Sequence, residues 1–333
     1  MAPNPTVLVA GASGYVGSRL VPELLTRGHP VRCLARTPQR LDAAPWHDDV
    51  EIVRGDVGGD LSAAMTGAGA AVFLVHSIGE GHDWTARERR HAENFRDAAA
   101  AAGVGRIVYV GGLGDDRAQL SDHLRSRHLV GEVLADGPVP VTELRAAVVI
   151  GSGSASFEML RYLTEVLPVM VTPKWVRSQC QPIAIADLLR YLVAAIEAPE
   201  PVHGVLEIGG PDVVTYADMM GVYAEEAGLA PRVLIPVPVL SPWLSSHWVG
   251  LVTPVPASLA RPLVGSLVND VVVTDDRAAR TFPFARTGFR DAVRHALGPD
   301  EAAPTDPEWS GGTELTDVRT QVVAAPPAQV WRA

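Results

Sequence analysis

The first 150 residues alternate short β-branched runs with longer amphipathic stretches, the rhythm of βαβ units whose parallel strands are covered on both faces. The runs predict strands over 6–10, 31–35, 50–54, 70–75, 106–110 and 141–144, with helices over 15–27, 83–102 and 121–135 between them. Six strands joined by crossover helices describe an α/β, Rossmann-type doubly wound parallel sheet. After Ile150 the rhythm loosens. Helical spacing returns over 156–167, 186–197 and 217–227, and Thr215 with Asp218 makes a capping box ahead of the last of these. The pattern therefore predicts a core over 1–150 and a small C-terminal substrate or cap region over 151–298 that completes the same domain.

Residues 298–312, GPDEAAPTDPEWSGG, combine proline, glycine and acid, so a linker is expected over 299–315. The tail at 316–333 opens on an alternating, strand-like TDVRTQVV. Too few residues follow the linker to bury a core of their own. The tail is then an edge strand, a free end, or the truncated start of a further domain.

Composition narrows the choice of function. Hydrophobic residues are 47% and charged residues 20%, enough apolar material for a packed core. The net charge of -10 disfavours nucleic acid as a partner and makes any phosphate site a local one. Cys33 and Cys180 stand far apart with no metal-ligand spacing, and the N-terminus shows no export signal, so a reduced, cytoplasmic protein is expected. Residues 233–260 carry no Asp, Glu, Lys or Arg, but five prolines interrupt them, which excludes an integral membrane helix. Trp243 and Trp248 leave open a buried cap, a subunit contact, a peripheral membrane contact or the entrance for a greasy substrate. Glu88, His91 and Glu93 lie among arginines on one helix, the pattern of a solvated face, and no metal is expected.

One motif carries specific chemistry. The apolar strand Thr6-Val-Leu-Val-Ala runs straight into Gly11-Ala12-Ser13-Gly14-Tyr15-Val16-Gly17 and then into a helix. Glycines so placed permit a tight turn, close approach of a pyrophosphate, and close packing of helix on strand, with the helix N-terminus aimed at the phosphates. A dinucleotide is the expected ligand. The second strand ends in Arg36, with Arg40 nearby and no carboxylate before Asp42, so a 2'-phosphate is expected rather than a free ribose hydroxyl: the cofactor is NADP(H). Arg40 or Arg32 could assist Arg36. Asp56 and Val57 follow the third strand where the adenine should lie, although Asp56 also suits a plain turn. His76 and Ser77 follow the fourth strand and could line the nicotinamide side or cap a loop.

With those residues in place, the chain resembles the extended and atypical short-chain dehydrogenase/reductase superfamily, and most closely its NmrA-like NAD(P)H-binding branch. The resemblance runs over roughly residues 5–298. It rests on the three glycines, Arg36, Gly55-Asp56-Val57, Val141-Thr-Glu-Leu-Arg145, Pro182-Ile-Ala-Ile-Ala-Asp187 and Leu206-Glu-Ile-Gly-Gly210. It implies a reductase with a tyrosine and a lysine four residues apart. That pair is absent: Lys174 is the only lysine and no tyrosine precedes it by four. In the helix where the pair should lie, one register puts Leu124 and His128 at the two positions, and another puts His123 and Arg127. His123, His128 or His76 could replace the proton donor, since imidazole titrates near neutrality. Alternatively hydride could pass to a carbon acceptor, or the fold could sense NADPH without catalysis. The tail resembles the opening of a START-like, ligand-cupping domain, which implies a small hydrophobic organic substrate. Oligomeric state is left open.

Overall fold

The computed structural model describes residues 4–76, 83–115, 120–172, 174–236, 263, 265–298 and 306. Its centre is a seven-stranded sheet formed by β1 (Thr6–Ala10), β2 (Val31–Ala35), β3 (Glu51–Arg54), β4 (Ala68–Phe73), β5 (Arg106–Gly112), β6 (Val141–Ala146) and β11 (Gly204–Ile208); the short β7 (Val149–Ile150), β8 (Val169–Thr172), β9 (Gln179–Cys180) and β10 (Ile183–Ala184) lie outside it. The order is β11-β6-β5-β4-β1-β2-β3, and every neighbouring pair is parallel. The chain runs outward from β1 to β3, then returns to lay β4 on the other side of β1. Beyond the carboxyl ends of β1 and β4 the crossovers diverge, and this is where an open α/β sheet receives a ligand.

Both faces of the sheet are covered, as its apolar strands require. Helices α1 (Tyr15–Thr26) and α6 (Ile185–Glu197) pack Leu20, Leu24, Leu188 and Ile196 on one face. On the other, α2 (Ser62–Met65), α3 (Trp84–Ala101) and α4 (Asp122–Ala135) pack Met65, Phe95, Val130 and Leu134. A further apolar cluster gathers α5 (Ala155–Val166), α7 (Tyr216–Glu226) and α9 (Phe289–Ala296) around Phe157, Met219, Tyr223 and Val293. The short α8 (Arg277–Thr281) lies between α7 and α9 in sequence.

The expected elements appear within a few residues of their predicted ends, and the capping box forms as read: Thr215 Oγ1 accepts from the Asp218 N–H, and the Asp218 carboxylate accepts from the Thr215 N–H. The seventh strand is an addition to the six expected. Only Leu206 and Ile208 of β11 are fully buried, so this edge strand lacks the continuous apolar run that marks a central one. Among the described residues no helix is long and apolar enough to cross a membrane. Trp243, Trp248, the tail at 316–333 and the expected linker, apart from Asp306, lie outside the described residues.

Candidate functional site

The turn between β1 and α1 is tight at every glycine. Gly11 has φ of 101°, a left-handed conformation that L side chains rarely adopt, and a Cβ there would press on the Leu74 backbone at 2.9 Å. A Cβ on Gly17 would sit 2.2 Å from the Gly11 carbonyl oxygen. At Gly14 a Cβ would meet only that same oxygen, at 3.3 Å, but Gly14 lines the adjoining cavity, where a side chain would take the room a phosphate needs. Gly14 is also the N-cap of α1, and no side chain caps the helix there. The first N–H groups of α1 are thus left for an anion, and the cradle fits a diphosphate. Ala12 is buried beneath the turn, Ser13 is exposed, and Tyr15, Val16 and Gly17 reach the cavity wall.

Past β2 and β3 lies a more open, charged end. Arg36 Nε stands 3.6 Å from the Asp56 carboxylate, with the two side chains 64% and 41% exposed. The other Asp56 oxygen accepts from the Gly58 N–H at 2.7 Å, so the carboxylate is already a turn-former. Val57 is buried beside it, and Arg40 is exposed on the following turn. Arg32, considered as a helper, is used elsewhere: it donates to Glu51 and to the carbonyls of Ala64 and Thr66. His91 from α3 reaches the same end, 3.9 Å from Asp56. Burial pulls its pKa down against the opposing pull of the Asp56 carboxylate. The helix face that carries it is not simply solvated, because Glu88 is buried and accepts from Ser126 at 2.5 Å, whereas Glu93 pairs with Arg89.

The glycine turn opens into a cavity of about 520 Å³. Its walls include Leu74, Leu124, Met159, Leu163, Met219 and Met220, and its polar end is formed by His76, His123 and Arg127. His123 and Arg127 are one helical turn apart on α4, so they share a face. Of the two registers open from the sequence, this is the one that reaches the cavity. His128 does not line it: its ring is buried and Nε2 shares a hydrogen bond of 2.8 Å with the Gly112 carbonyl, a packing position. His76 meets the Arg127 guanidinium. Ser77 lies outside the described residues.

The electrostatics of this end are one-sided. Burial, and then the Arg127 charge, hold the His123 pKa down to about 3. Burial, Arg127 and His123 likewise hold His76 well below the ordinary imidazole range. Both rings are therefore neutral at pH 7. Arg127 itself makes no ion pair among the described residues, and His123 Nδ1 is buried without a hydrogen-bond partner. Tyr109 gives its hydroxyl to the Arg127 backbone carbonyl, 3.1 Å away, and burial raises its pKa, so it is no proton donor to the cavity. Arg127 was legible only through its spacing from His123. Tyr216, which also lines the cavity, carried no signal in the sequence; burial raises its pKa well above the usual phenol value, with Cys180 as its hydrogen-bond neighbour.

The turn and the sheet behind it decide the cofactor class, and comparison with known proteins agrees: residues 11–147 match the family described as NAD(P)H-binding. Residues 11–147 are an NAD(P)H-binding domain. Over 115 residues the chain is 36% identical to a 3β-hydroxysteroid dehydrogenase/Δ5→4-isomerase of Mycobacterium tuberculosis, a match covering 31% of this chain and 30% of the relative. Over 230 residues it is 28% identical to a chloroplastic divinyl chlorophyllide a 8-vinyl-reductase of Oryza sativa subsp. indica, covering 63% and 56%. The matched stretch is thus under two thirds of either relative. The NAD(P)H-binding domain and the region after it share their fold with an NADPH-dependent quinone oxidoreductase of Escherichia coli solved with NADPH, at a TM-score of 0.69 and 19% identity over 88% of this chain and all of that one. A Citrobacter triphenylmethane reductase solved with NADP(H) superposes at a TM-score of 0.68 and 17% identity, over 88% and 100% of the two chains.

Proposed function

We propose that this protein is an NADP(H)-dependent oxidoreductase of the atypical, NmrA-like short-chain type, which reduces or isomerises a small hydrophobic carbonyl or enone compound. The observation that carries the reading is the placement of His123 and Arg127 on the cavity wall, four residues apart, where the family resemblance implies tyrosine and lysine. Gly11, Gly14 and Gly17 would hold the diphosphate, Arg36 with Arg40 the 2'-phosphate, and Asp56 the adenine edge. A bound reduced nicotinamide supplies hydride. The chain supplies the rest: the methionine and leucine walls exclude water and hold an apolar body, and His123 with Arg127 faces the substrate oxygen. The steroid and vinyl substrates in the names of the sequence relatives support a greasy acceptor. So does the tail's START-like resemblance.

The missing tyrosine and lysine favour a second reading, an NADPH-sensing or scaffold protein without turnover. Loss of absorbance at the reduced nicotinamide band across a panel of hydrophobic carbonyl and enone compounds separates the two. Turnover of any compound supports the oxidoreductase. Tight NADPH binding in a calorimeter with no turnover supports the sensor, and no binding of either nicotinamide coenzyme removes both.

A further inference from the structure

Arg127 is an unusual arginine. Its guanidinium lies in the wall of an apolar cavity, it forms no ion pair among the described residues, and its side-chain neighbour is the neutral, partly buried imidazole of His76. A cation in low dielectric is costly unless an anion accompanies it, and proteins seldom keep one uncompensated without a use. Beside it, His123 is 8% exposed and offers a ring nitrogen, Nδ1, with no hydrogen-bond partner. One guanidinium whose side-chain partner is a neutral ring, and one ring nitrogen without a hydrogen-bond partner, therefore line one cavity from one helix face. The charged side chains acting on the two rings are Arg127 and, for His76, His123, with no carboxylate among them; Glu143 and Glu88 act on Tyr109, which packs against His76 and donates to the Arg127 carbonyl.

We infer that the polar end of the cavity is an anion site, built to hold an oxygen that carries negative charge on a flat apolar body, a phenolate or an enolate, in preference to the neutral phenol, ketone or alcohol. The inference rests on the proposed function and narrows its substrate class to compounds whose oxygen is, or becomes, a delocalised oxyanion. Arg127 supplies the fixed charge. His123 is neutral, so it can donate one N–H to the anion while bringing no charge of its own, a pattern in which position outweighs acidity. The walls of Met159, Leu163, Met219 and Met220 keep water from competing for the anion, which strengthens the Coulomb attraction relative to solution. A simple ketone passing to an alkoxide would need a proton delivered at once, and neither ring holds one to give at pH 7. An enolate or phenolate does not.

The test needs neither cofactor nor turnover. p-Nitrophenol is a flat apolar phenol whose phenolate absorbs in the visible, so its ionisation can be followed while bound. Titrated with the full-length protein, bound nitrophenol is expected to ionise at lower pH than free nitrophenol, by about one pH unit or more, which is at least a tenfold preference for the anion. Arg127→Met should abolish the preference, Arg127→Lys should retain most of it, and His123→Gln, which keeps an N–H donor, should retain more than His123→Leu. Because the shift is first read on the unmodified protein, a variant that fails to fold does not rescue the idea. Bound nitrophenol that stays neutral, no binding at all, or an unchanged preference in a folded Arg127→Met would overturn it. NADPH turnover of saturated ketones with no anion preference would sink this inference and leave the oxidoreductase standing; an anion preference without any turnover would do the reverse.

Discussion

At the end of the cleft beyond β2 and β3, charge is plentiful and wet: Arg36 and Asp56 are both well exposed and sit 3.6 Å apart, so each partly answers the other through solvent. At the cavity end the Arg127 guanidinium faces apolar walls and forms no ion pair among the described residues. Between them, on α1, Arg19 is partly buried but answered, since it pairs with both oxygens of Asp306, at 2.8 and 2.7 Å, and also donates to the Ser152 carbonyl. Three arginines thus sample three environments. An exposed pair is worth little by itself and is easily re-partnered by a ligand. A partly buried, satisfied pair holds structure together, and a partly buried cation without an ion-pair partner attracts an anion more strongly than an exposed one. The difference is why we propose recognition of the 2'-phosphate at the exchangeable arginine and chemistry at the unanswered one.

The comparison assumes that one rigid turn joins the two ends, and Gly17→Ala attacks that turn directly. A Cβ 2.2 Å from the Gly11 oxygen cannot be absorbed by a flexible side chain, because the obstacle is backbone. The expected result is loss of measurable NADPH binding by calorimetry together with a destabilisation of about 3 kcal/mol or more in urea. A variant that binds NADPH normally would show that α1 does not need to lie this close to β1.

Asp306→Asn tests the answered arginine. Removing the carboxylate leaves the partly buried Arg19 beside Ser152 with its charge uncompensated, and the cost expected is about 3 kcal/mol in chemical denaturation. The Arg19 guanidinium also lies 4.2 Å over the Tyr15 ring, so the strain should reach the glycine turn and weaken NADPH as well. An unchanged denaturation midpoint would mean that the pair is dispensable and that burial alone does not distinguish Arg19 from Arg36.

Arg36→Ala tests the exchangeable arginine. If the guanidinium leaves Asp56 for the 2'-phosphate, the variant should lose about 1.5 to 3 kcal/mol in NADPH binding and little in NADH binding. Equal losses for both coenzymes would place Arg36 outside the phosphate site and remove the basis for preferring NADP(H).

How much of this was readable beforehand follows the same division. The glycine turn was legible because its constraint is local: strand, turn and helix are contiguous, and Gly11, Gly14 and Gly17 each answer a backbone requirement visible in spacing alone. The five inner strands were legible through their apolar runs and the edge strand β3 through its place in the βαβ rhythm, whereas β11, an edge strand beyond the point where that rhythm loosens, shows only Leu206 and Ile208 as buried. The cavity end is assembled from β4, β5, α4, α5 and α7, far apart in sequence, so nothing local announces it. His123 and His128 looked equivalent on paper. Only the rotation of α4 separates them, turning His123 to the cavity and His128 to the Gly112 carbonyl. Arg32 was a candidate helper to Arg36, but it lies inside β2 and is held by Glu51 of the neighbouring strand, whereas Arg36 follows the strand's carboxyl end.

The smallest effect expected sharpens the cavity end, through pH. Burial and Arg127 hold the folded His123 pKa down to about 3, whereas an unfolded histidine titrates near its ordinary value of about 6.5. Between those values the unfolded chain binds the proton and the folded chain does not, so unfolding is favoured as pH falls. Above about pH 6.5 neither form is protonated and His123 adds no slope. His76, held low by the same burial and the same guanidinium, pushes in the same direction. Urea midpoints measured between about pH 6.5 and pH 5, before most carboxylates titrate, should therefore fall with acidity, His123 alone contributing up to about 1.4 kcal/mol per pH unit. His123→Gln should remove that share of the slope and leave the behaviour above pH 7 unchanged. Identical slopes in the two proteins would mean that His123 can take up a proton in the folded state, and then the cavity would not be the dry, positively biased site from which its preference for an anion was argued.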